Sequence, residues 1–493
     1  MIEALAIVFR SLADHEQTPQ GLVALCLTLT VLYWSYFHLL PALTLRNIPR
    51  AGKDPGLLPS LFGFGLADAK RDFKKNGLKI LNEGYLEHKN SMFRVQTLNE
   101  ERVVLSPSYI EEINKNVPEG TLNVIEGLSE LEAKLIGPIH EEAEYWLRKR
   151  ISGETELKVH DLIVRVIAGT ATRMLGGPVA SRDVEWLESA AEYSYDVVVT
   201  AQQLRQWSPF LRPFVAPWLE SKKKLDRHLA VAKKTFRNVF VQRLELFDRG
   251  GASDAEKPVD MVQWMVETAR GNDRNPDVLA QNMLFMTLAG LHTSANTTMH
   301  ALFDLCANPQ FTQPLREEIR QVIAEDGWSM PAISRLKKLD SFIKESQRLN
   351  QTVLMTFNRK LAKSLRFADG TLLPRGTYIT MPSVAVSRDP EYFTNPEEFE
   401  GFRFYEKRSS AKSEANRHSF AAIGPENLAF GFGKTACPGR FFAGAQIKAV
   451  LANIILNYDV SFPGGQTKRP DNLYKGGLIQ PDPRQKIVFK QVH

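Results

Sequence analysis

The hydropathy pattern divides the chain into three stretches. In the first, no residue between Glu16 and Arg46 carries a formal charge, and residues 21–40, GLVALCLTLTVLYWSYFHLL, are almost wholly apolar. As a helix this run spans roughly 30 Å, the thickness of a bilayer core. Tyr33, Trp34 and Tyr36 fall near its C-terminal end, where amphipathic rings favour the membrane interface. Arg10 stands before the run, and Arg46, Arg50 and Lys53 follow it. That asymmetry predicts a single-pass anchor with the larger, C-terminal part in the cytosol. A cleaved signal peptide is disfavoured, because the leader is acidic and no small-x-small site follows the run.

In the second stretch, residues 47–60 are rich in Pro and Gly and read as a stiff linker behind a leader and anchor of 1–46. Residues 61–493 then form one expected catalytic domain. Short strand-like runs at Met92–Gln96 and 102–105 predict strands, the second ended by Pro107. Helical spacing prevails from about residue 108 to 350. One helix is expected to be unusually long, over 276–307, with Asn275 as N-cap, Pro276 in the first turn and Pro309 ending it. Its middle, LFMTLAGLHTSANTTMHALF, is apolar on nearly every face, which predicts burial in a large core. In the third stretch, TLLPRGTYITMPSV reads as turn and strand, 388–427 as loop, and 440–457 as helix again.

Composition narrows the function. With 493 residues, 43% hydrophobic and 24% charged, the chain is globular, neither disordered nor collagenous. A net charge of +6 is too weak at this length to argue for a nucleic-acid partner. The three cysteines, Cys26, Cys306 and Cys437, are far apart and form no Cys-x-x-Cys pair, which excludes a disulfide framework and a cysteine-rich zinc site. Cys26 and Cys306 read as small buried hydrophobes.

Cys437 differs. It sits in Phe430-Gly-Phe-Gly433-Lys-Thr435-Ala-Cys437-Pro-Gly439-Arg, just before an apolar helix. The glycines allow tight turns and close approach of backbone to a ligand. A helix N-terminus stabilises a thiolate, and a lone thiolate held by backbone N–H groups suits an axial ligand of haem iron.

Here the chain resembles the cytochrome P-450 haem-thiolate monooxygenases. The F-x-x-G-x-x-x-C-x-G signature is complete at Phe430, Gly433, Cys437 and Gly439. Glu345-Ser-Gln-Arg348 matches the family's E-x-x-R motif, whose i,i+3 spacing puts both charges on one helix face. The resemblance supplies Arg403 as the third member of a buried Glu–Arg–Arg network. It also matches Ala385–Pro390 and pairs Arg359 with a haem propionate. On the long helix Ala289-Gly290-Leu291-His292-Thr293 stands for the oxygen-activating motif, with His292 in place of the usual acid. Gly290 would let the helix ladder widen where O2 and water sit, and Thr293 would hydrogen-bond the distal oxygen. His292 is either a proton relay or a core histidine bonded to a backbone carbonyl. This variant is similar to that of filamentous-fungal secondary-metabolism members that oxidise terpenoids.

The resemblance implies a mainly α fold with small β-sheets (α+β) and a long central oxygen-binding helix behind an N-terminal transmembrane helix. It also implies haem b with Cys437 as iron ligand, and an endoplasmic-reticulum location. Electrons would come from NADPH through a separate flavin-containing reductase, to oxidise a lipophilic substrate with O2. Lys434, Arg440 and Lys448 either face that reductase or are plain surface charges. Phe285, Ala289, Val353, Leu354 and Ile479 are expected to line the substrate pocket. The alternatives are a reductase-independent isomerase or dehydratase, motivated by His292, and a non-catalytic haem protein.

The chain departs from the family at two places. Thr435 stands where a His or Arg usually meets a propionate. Trp146 and Arg150 have the spacing of the family's propionate clamp, but the segment after them resembles a later helix. They are therefore read as structural, and 107–163 as shortened or altered.

Overall fold

The computed structural model describes residues 23, 27–32, 39–54, 56, 65–115, 124–250, 258, 260–414 and 417–492. Most of the expected span at 21–40, Cys26 included, lies outside them. Among the described residues, no helix is long and apolar enough to cross a membrane.

In chain order the elements used below begin with β1 (Arg50–Ala51), α1 (Leu66–Glu87), β2 (Met92–Gln96) and β3 (Glu101–Leu105). Then come α2 (Val124–Arg150), β4 (Glu154–Lys158), α3 (Val159–Ala180), α4 (Val184–Arg205), α5 (Glu220–Asp248), α6 (Pro276–Ala307) and α7 (Lys337–Leu349). The last are β5 (Thr356–Lys360), β6 (Tyr378–Met381), α8 (Arg440–Asn457), β7 (Tyr458–Ser461), β8 (Leu473–Lys475), β9 (Leu478–Gln480) and β10 (Lys486–Gln491). The result is mainly helical with small sheets, the class expected.

The chain forms two compact units, one of residues 1–116 with 354–386, the other of 117–353 with 387–493. The smaller unit holds a five-stranded sheet of order β1-β2-β3-β6-β5. Within the expected linker, Arg50–Ala51 thus pairs in parallel with β2 as an edge strand. Helix α1 can lie close on β2 because residue 84 is glycine: a Cβ there would stand 2.7 Å from the Phe93 ring.

The larger unit is a helical core with an antiparallel sheet of order β4-β10-β7 and a β8–β9 hairpin. Helix α6 runs through it, packed on α3, α4, α5, α7 and α8. Its bounds match the expected ones because both stop signals act. The Asn275 side chain accepts the Asp277 N–H at 2.9 Å, and Pro309 opens a separate 3-10 turn. Its burial departs from expectation in one respect. Gln281, Phe285, Ala289 and Thr293, spaced i, i+4, i+8 and i+12, remain exposed on one narrow stripe. Phe285 is 56% exposed.

Candidate functional site

The Cys437 loop is a backbone-built cradle. Gly431 and Gly433 hold left-handed φ values of 75° and 62°, which fold the chain back on itself. The Cys437 N–H then donates to the Phe430 carbonyl at 2.7 Å, and Ala436 N–H to Gly433 at 3.1 Å. Phe430 anchors the loop edge-on against Phe420, with ring centroids 5.3 Å apart. Helix α8 begins at Arg440, and Gly439, its N-cap, accepts from the Ala443 N–H at 2.8 Å. Sequence reasoning passed over Gly431, although the Phe-Gly-Phe-Gly doublet was visible.

The Cys437 side chain is exposed, yet enough protein surrounds it that burial pushes its thiol up, while the Gly439 N–H and the Arg440 charge pull it back. The Arg440 guanidinium is turned onto the loop, donating to the Cys437 carbonyl at 2.9 Å. Thr435 Oγ1 lies 3.4 Å from the Phe432 carbonyl. Cys306 is the opposite case, a buried thiol driven far up by burial.

Glu345, Arg348 and Arg403 meet. Glu345 is fully buried and accepts Arg348 at 2.9 and 2.8 Å and Arg403 at 3.1 Å. The remaining guanidinium N–H groups go to backbone carbonyls, Arg348 to Ser387 and Glu398 and Arg403 to Thr394, and Arg403 also pairs with the Glu400 carboxylate at 3.1 Å. Every charge is paired, the condition under which burying three of them is tolerable.

On α6, Thr293 Oγ1 donates back to the carbonyls of Ala289 and Gly290 at 3.2 and 3.3 Å, which leaves its lone pairs free as acceptors on the exposed stripe. His292 points the other way. Its Nε2 is 2.8 Å from the Ala191 carbonyl on α4, so Nε2 carries the proton. Burial holds its pKa below the usual value, which favours the neutral ring. Of the expected pocket residues in the larger unit, Val353 bridges to Leu478, and the Ile479 N–H donates to Thr352 at 2.9 Å. Leu354 and Arg359 belong to the smaller unit. Leu354 is buried against Gly77, and Arg359, on β5, stacks over the Phe357 ring at 4.7 Å.

One expected surface charge is corrected. Lys448 is 9% exposed, and its Nζ donates to Asp340 and to the Ile333 carbonyl, both at 3.1 Å. It fastens α8 to α7 and cannot face a partner; Lys434 remains exposed. Trp146 is core: a Cβ on Gly169 of α3 would stand 2.3 Å from its indole nitrogen, so glycine makes room for the ring. Arg150 is exposed at the end of α2. A cavity of about 330 Å³ opens among Arg148, Asn457 and Tyr458 and contains none of the expected site residues.

These residues fit a haem. The donor is a reachable sulfur on a glycine-framed loop, and, chain neighbours and the local helix backbone aside, nothing lies within 4 Å of where a Cβ would stand on Gly290 or Gly439. The raised thiol is no obstacle, since metal coordination deprotonates a thiol outright.

A mainly helical fold with an accessible thiol on a backbone cradle and a fully paired Glu–Arg–Arg network defines a haem-thiolate class of protein. The chain belongs to the cytochrome P450 family, whose sequence model matches residues 147–489. It is similar to a cytochrome P450 monooxygenase of Emericella nidulans, at 34% identity over 452 residues, 85% of this chain and 84% of the relative. An ent-kaurene oxidase of Gibberella intermedia is 34% identical over 454 residues, 85% and 84% of the two chains. A cytochrome P450 monooxygenase of Penicillium canescens is 32% identical over 449 residues, again 85% and 84%. The protein is therefore an oxygen-incorporating oxidoreductase, and its family implies haem ligated by a thiolate.

Proposed function

We propose that this P450 oxidises a lipophilic substrate of the terpenoid class in fungal secondary metabolism, using O2 and electrons delivered from NADPH by a separate reductase. The observation that carries the reading is the stripe on α6: beyond Gln281 come two apolar side chains, Phe285 and Ala289, then one hydroxyl, Thr293, exposed on a mostly buried helix. Such a surface suits an apolar ligand with one polar group at a fixed point. The similarity to an ent-kaurene oxidase points the same way.

When bound, a thiolate-ligated haem would supply O–O bond cleavage. The chain's residues do the rest. Cys437 is the metal ligand, oriented by the Phe430–Cys437 backbone bond and faced by the Gly439 N–H. Gly433 and Gly439 keep side chains out of the cradle. Thr435 would offer a propionate a hydrogen bond, and the Glu345–Arg348–Arg403 network keeps the scaffold of the larger unit rigid. Thr293 Oγ1, held by the carbonyls of Ala289 and Gly290, would offer an acceptor that positions a proton where O2 is reduced. Phe285, Val353 and Ile479 would exclude water from the substrate. His292, the motive for a reductase-independent reaction, is engaged at Nε2 with the Ala191 carbonyl, which supports the monooxygenase reading.

The reading includes an endoplasmic-reticulum anchor at 21–40 with residues 61–493 as the cytosolic catalytic part. The uncharged run and the basic residues after it support this. So does the connector between α4 and α5, which exposes Trp207, Phe210, Phe214 and Trp218, a composition suited to a membrane interface.

The test is turnover of a diterpene panel that includes ent-kaurene, in microsomes with an NADPH-dependent reductase. Oxygenated product dependent on both O2 and NADPH is expected. Turnover without either, or a reduced CO-difference spectrum lacking the thiolate-type band, overturns the reading.

A further inference from the structure

Helices α4 and α5 carry a second polar cluster, which the monooxygenase reading does not use. Asp196 on α4 and His228 on α5 are 3% and 7% exposed, and His228 Nε2 lies 3.0 Å from Asp196 Oδ2. The other ring nitrogen, Nδ1, is 2.8 Å from Ser189 Oγ, itself 5% exposed. One turn before Asp196 on the same face stands Glu192. Among the described residues, Glu192, Asp196 and His228 form the one group of His, Cys, Asp and Glu side chains that places three potential ligand atoms within 4.8 Å of one another.

A purely structural latch would need only Ser189, His228 and Asp196. Glu192 adds a third oxygen that makes no ion pair or hydrogen bond with a described residue. We propose that Glu192, Asp196 and His228 bind a divalent transition-metal ion of the zinc class, clamping α4 to α5.

Ligand type, spacing and surroundings all agree with this. One imidazole with two carboxylates is a borderline nitrogen–oxygen donor set, which suits Zn(II) better than the all-oxygen shells that Mg(II) and Ca(II) take. Two ligands on a tetrahedral zinc, each about 2.0–2.1 Å from the ion, stand about 3.3 Å apart. The Nε2–Oδ2 pair needs to open by only a few tenths of an ångström to admit the ion. Ser189 provides the outer partner that metal-bound histidines have: with Nε2 on the metal, Nδ1–H donates to Ser189 Oγ and fixes the ring. The site already draws positive charge, since Lys224 Nζ stands 3.9 Å from Asp196 Oδ1. Lys224 is half exposed and free to swing away. Glu192 is also exposed, so the ion has a path from solvent and a fourth position for water. The clamp would stiffen the two helices that flank the exposed aromatic connector, without touching the Cys437 loop.

The test titrates Zn2+ into the haem-loaded full chain against a chromophoric chelator. One ion per chain is expected, with affinity falling at least tenfold in Glu192→Gln and in His228→Ala. Zn2+ should raise the thermal midpoint of the parent and raise it less in Glu192→Gln, while Mg2+ at the same concentration leaves it unchanged. His228 is buried and its alanine variant can fail to fold; Glu192 is exposed, so its glutamine variant keeps the question open to measurement. No binding at one equivalent, or equal Zn2+ affinity in parent and Glu192→Gln, overturns the proposal. None of these outcomes depends on which substrate the enzyme takes.

Discussion

The two halves of α6 are built from similar residues and put to opposite uses. Up to Thr293 the helix keeps the i,i+4 stripe open, and its polar group there, the Thr293 hydroxyl, reaches the surface. Beyond Thr293 almost nothing is accessible, and the polar groups bond inward. Asp304, buried, accepts Ser346 Oγ, Asn350 Nδ2 at 3.1 Å and the Arg469 guanidinium. Arg469 also donates to His300 Nδ1 at 2.8 Å. Ser346 and Asn350 belong to α7 and its C-cap, so this half of α6 holds the helix that carries Glu345 and Arg348. Polar groups at an open surface are available for chemistry; polar groups that are buried and paired hold the scaffold. Changes in the first class should cost function at little cost in stability, and changes in the second the reverse.

The sharpest test sets the two described cysteines against each other. Cys437→Ala should abolish the thiolate-type band of the reduced CO-difference spectrum and bring turnover to background, while the unfolding midpoint of the haem-free chain barely moves. Cys306→Ala should keep the band and cost about 1 kcal/mol at most, the loss of one small buried group. If Cys306→Ala loses the band and Cys437→Ala keeps it, the comparison is broken at its foundation.

Next in size is the Glu–Arg–Arg network. Glu345→Ala leaves the buried Arg348 without a carboxylate and Arg403 with only the half-exposed Glu400, which should cost about 3–5 kcal/mol. Denaturant unfolding of the parent and the variant measures this directly. A loss below about 1 kcal/mol would mean the backbone carbonyls around Arg348 and Arg403, with Glu400, suffice without Glu345.

His300 adds a pH dependence to the buried half. Burial, and then the Arg469 charge, hold its folded pKa well below the ordinary histidine value. Below about pH 6.5 the unfolded chain takes up a proton that the folded chain refuses, so stability falls as pH falls. The slope from this one group is about 1.4 kcal/mol per pH unit, starting near pH 6.5 and ending at the folded pKa. His300→Gln keeps an acceptor for Arg469 and removes the titration. Its stability between pH 6.5 and 5 should therefore be flatter than the parent's by that amount, and an unchanged slope would assign the acid loss to other groups.

How far these roles were legible in the sequence follows from what local pattern encodes. The bounds of α6 were readable, because an Asn N-cap with Pro276 and a terminal Pro309 act through the backbone alone. The Glu345–Arg348 contact was readable from i,i+3 spacing, and Arg403 from resemblance, since its partner lies 58 positions away. The split of α6 was not. Both halves are apolar on nearly every face, and which stripe stays open depends on the helices packed around it. Lys448 failed for the same reason: a lysine near the cysteine reads as surface charge until Asp340 of α7 is seen to receive it. His292 had two readings, and only tertiary structure supplies the carbonyl of Ala191, 101 residues away, that engages it.

The smallest expected change in stability is at Thr293, where the open half can be tested without disturbing the fold. Its hydroxyl is exposed and bonds only to carbonyls of its own helix, so Thr293→Ala should change stability by about 0.5 kcal/mol or less. Product formed per O2 consumed should fall on the order of tenfold, with peroxide or water making up the difference, because the group that positions a proton has been removed. Thr298→Ala is the matched control in the buried half, where the hydroxyl donates to the Ser294 carbonyl at 2.9 Å. It removes the same atoms from the same helix, fully out of reach of a ligand, and should leave coupling unchanged while costing about 1 kcal/mol of stability. If both variants uncouple equally, accessibility does not separate the two halves, and the hydroxyls act only through the shape of α6.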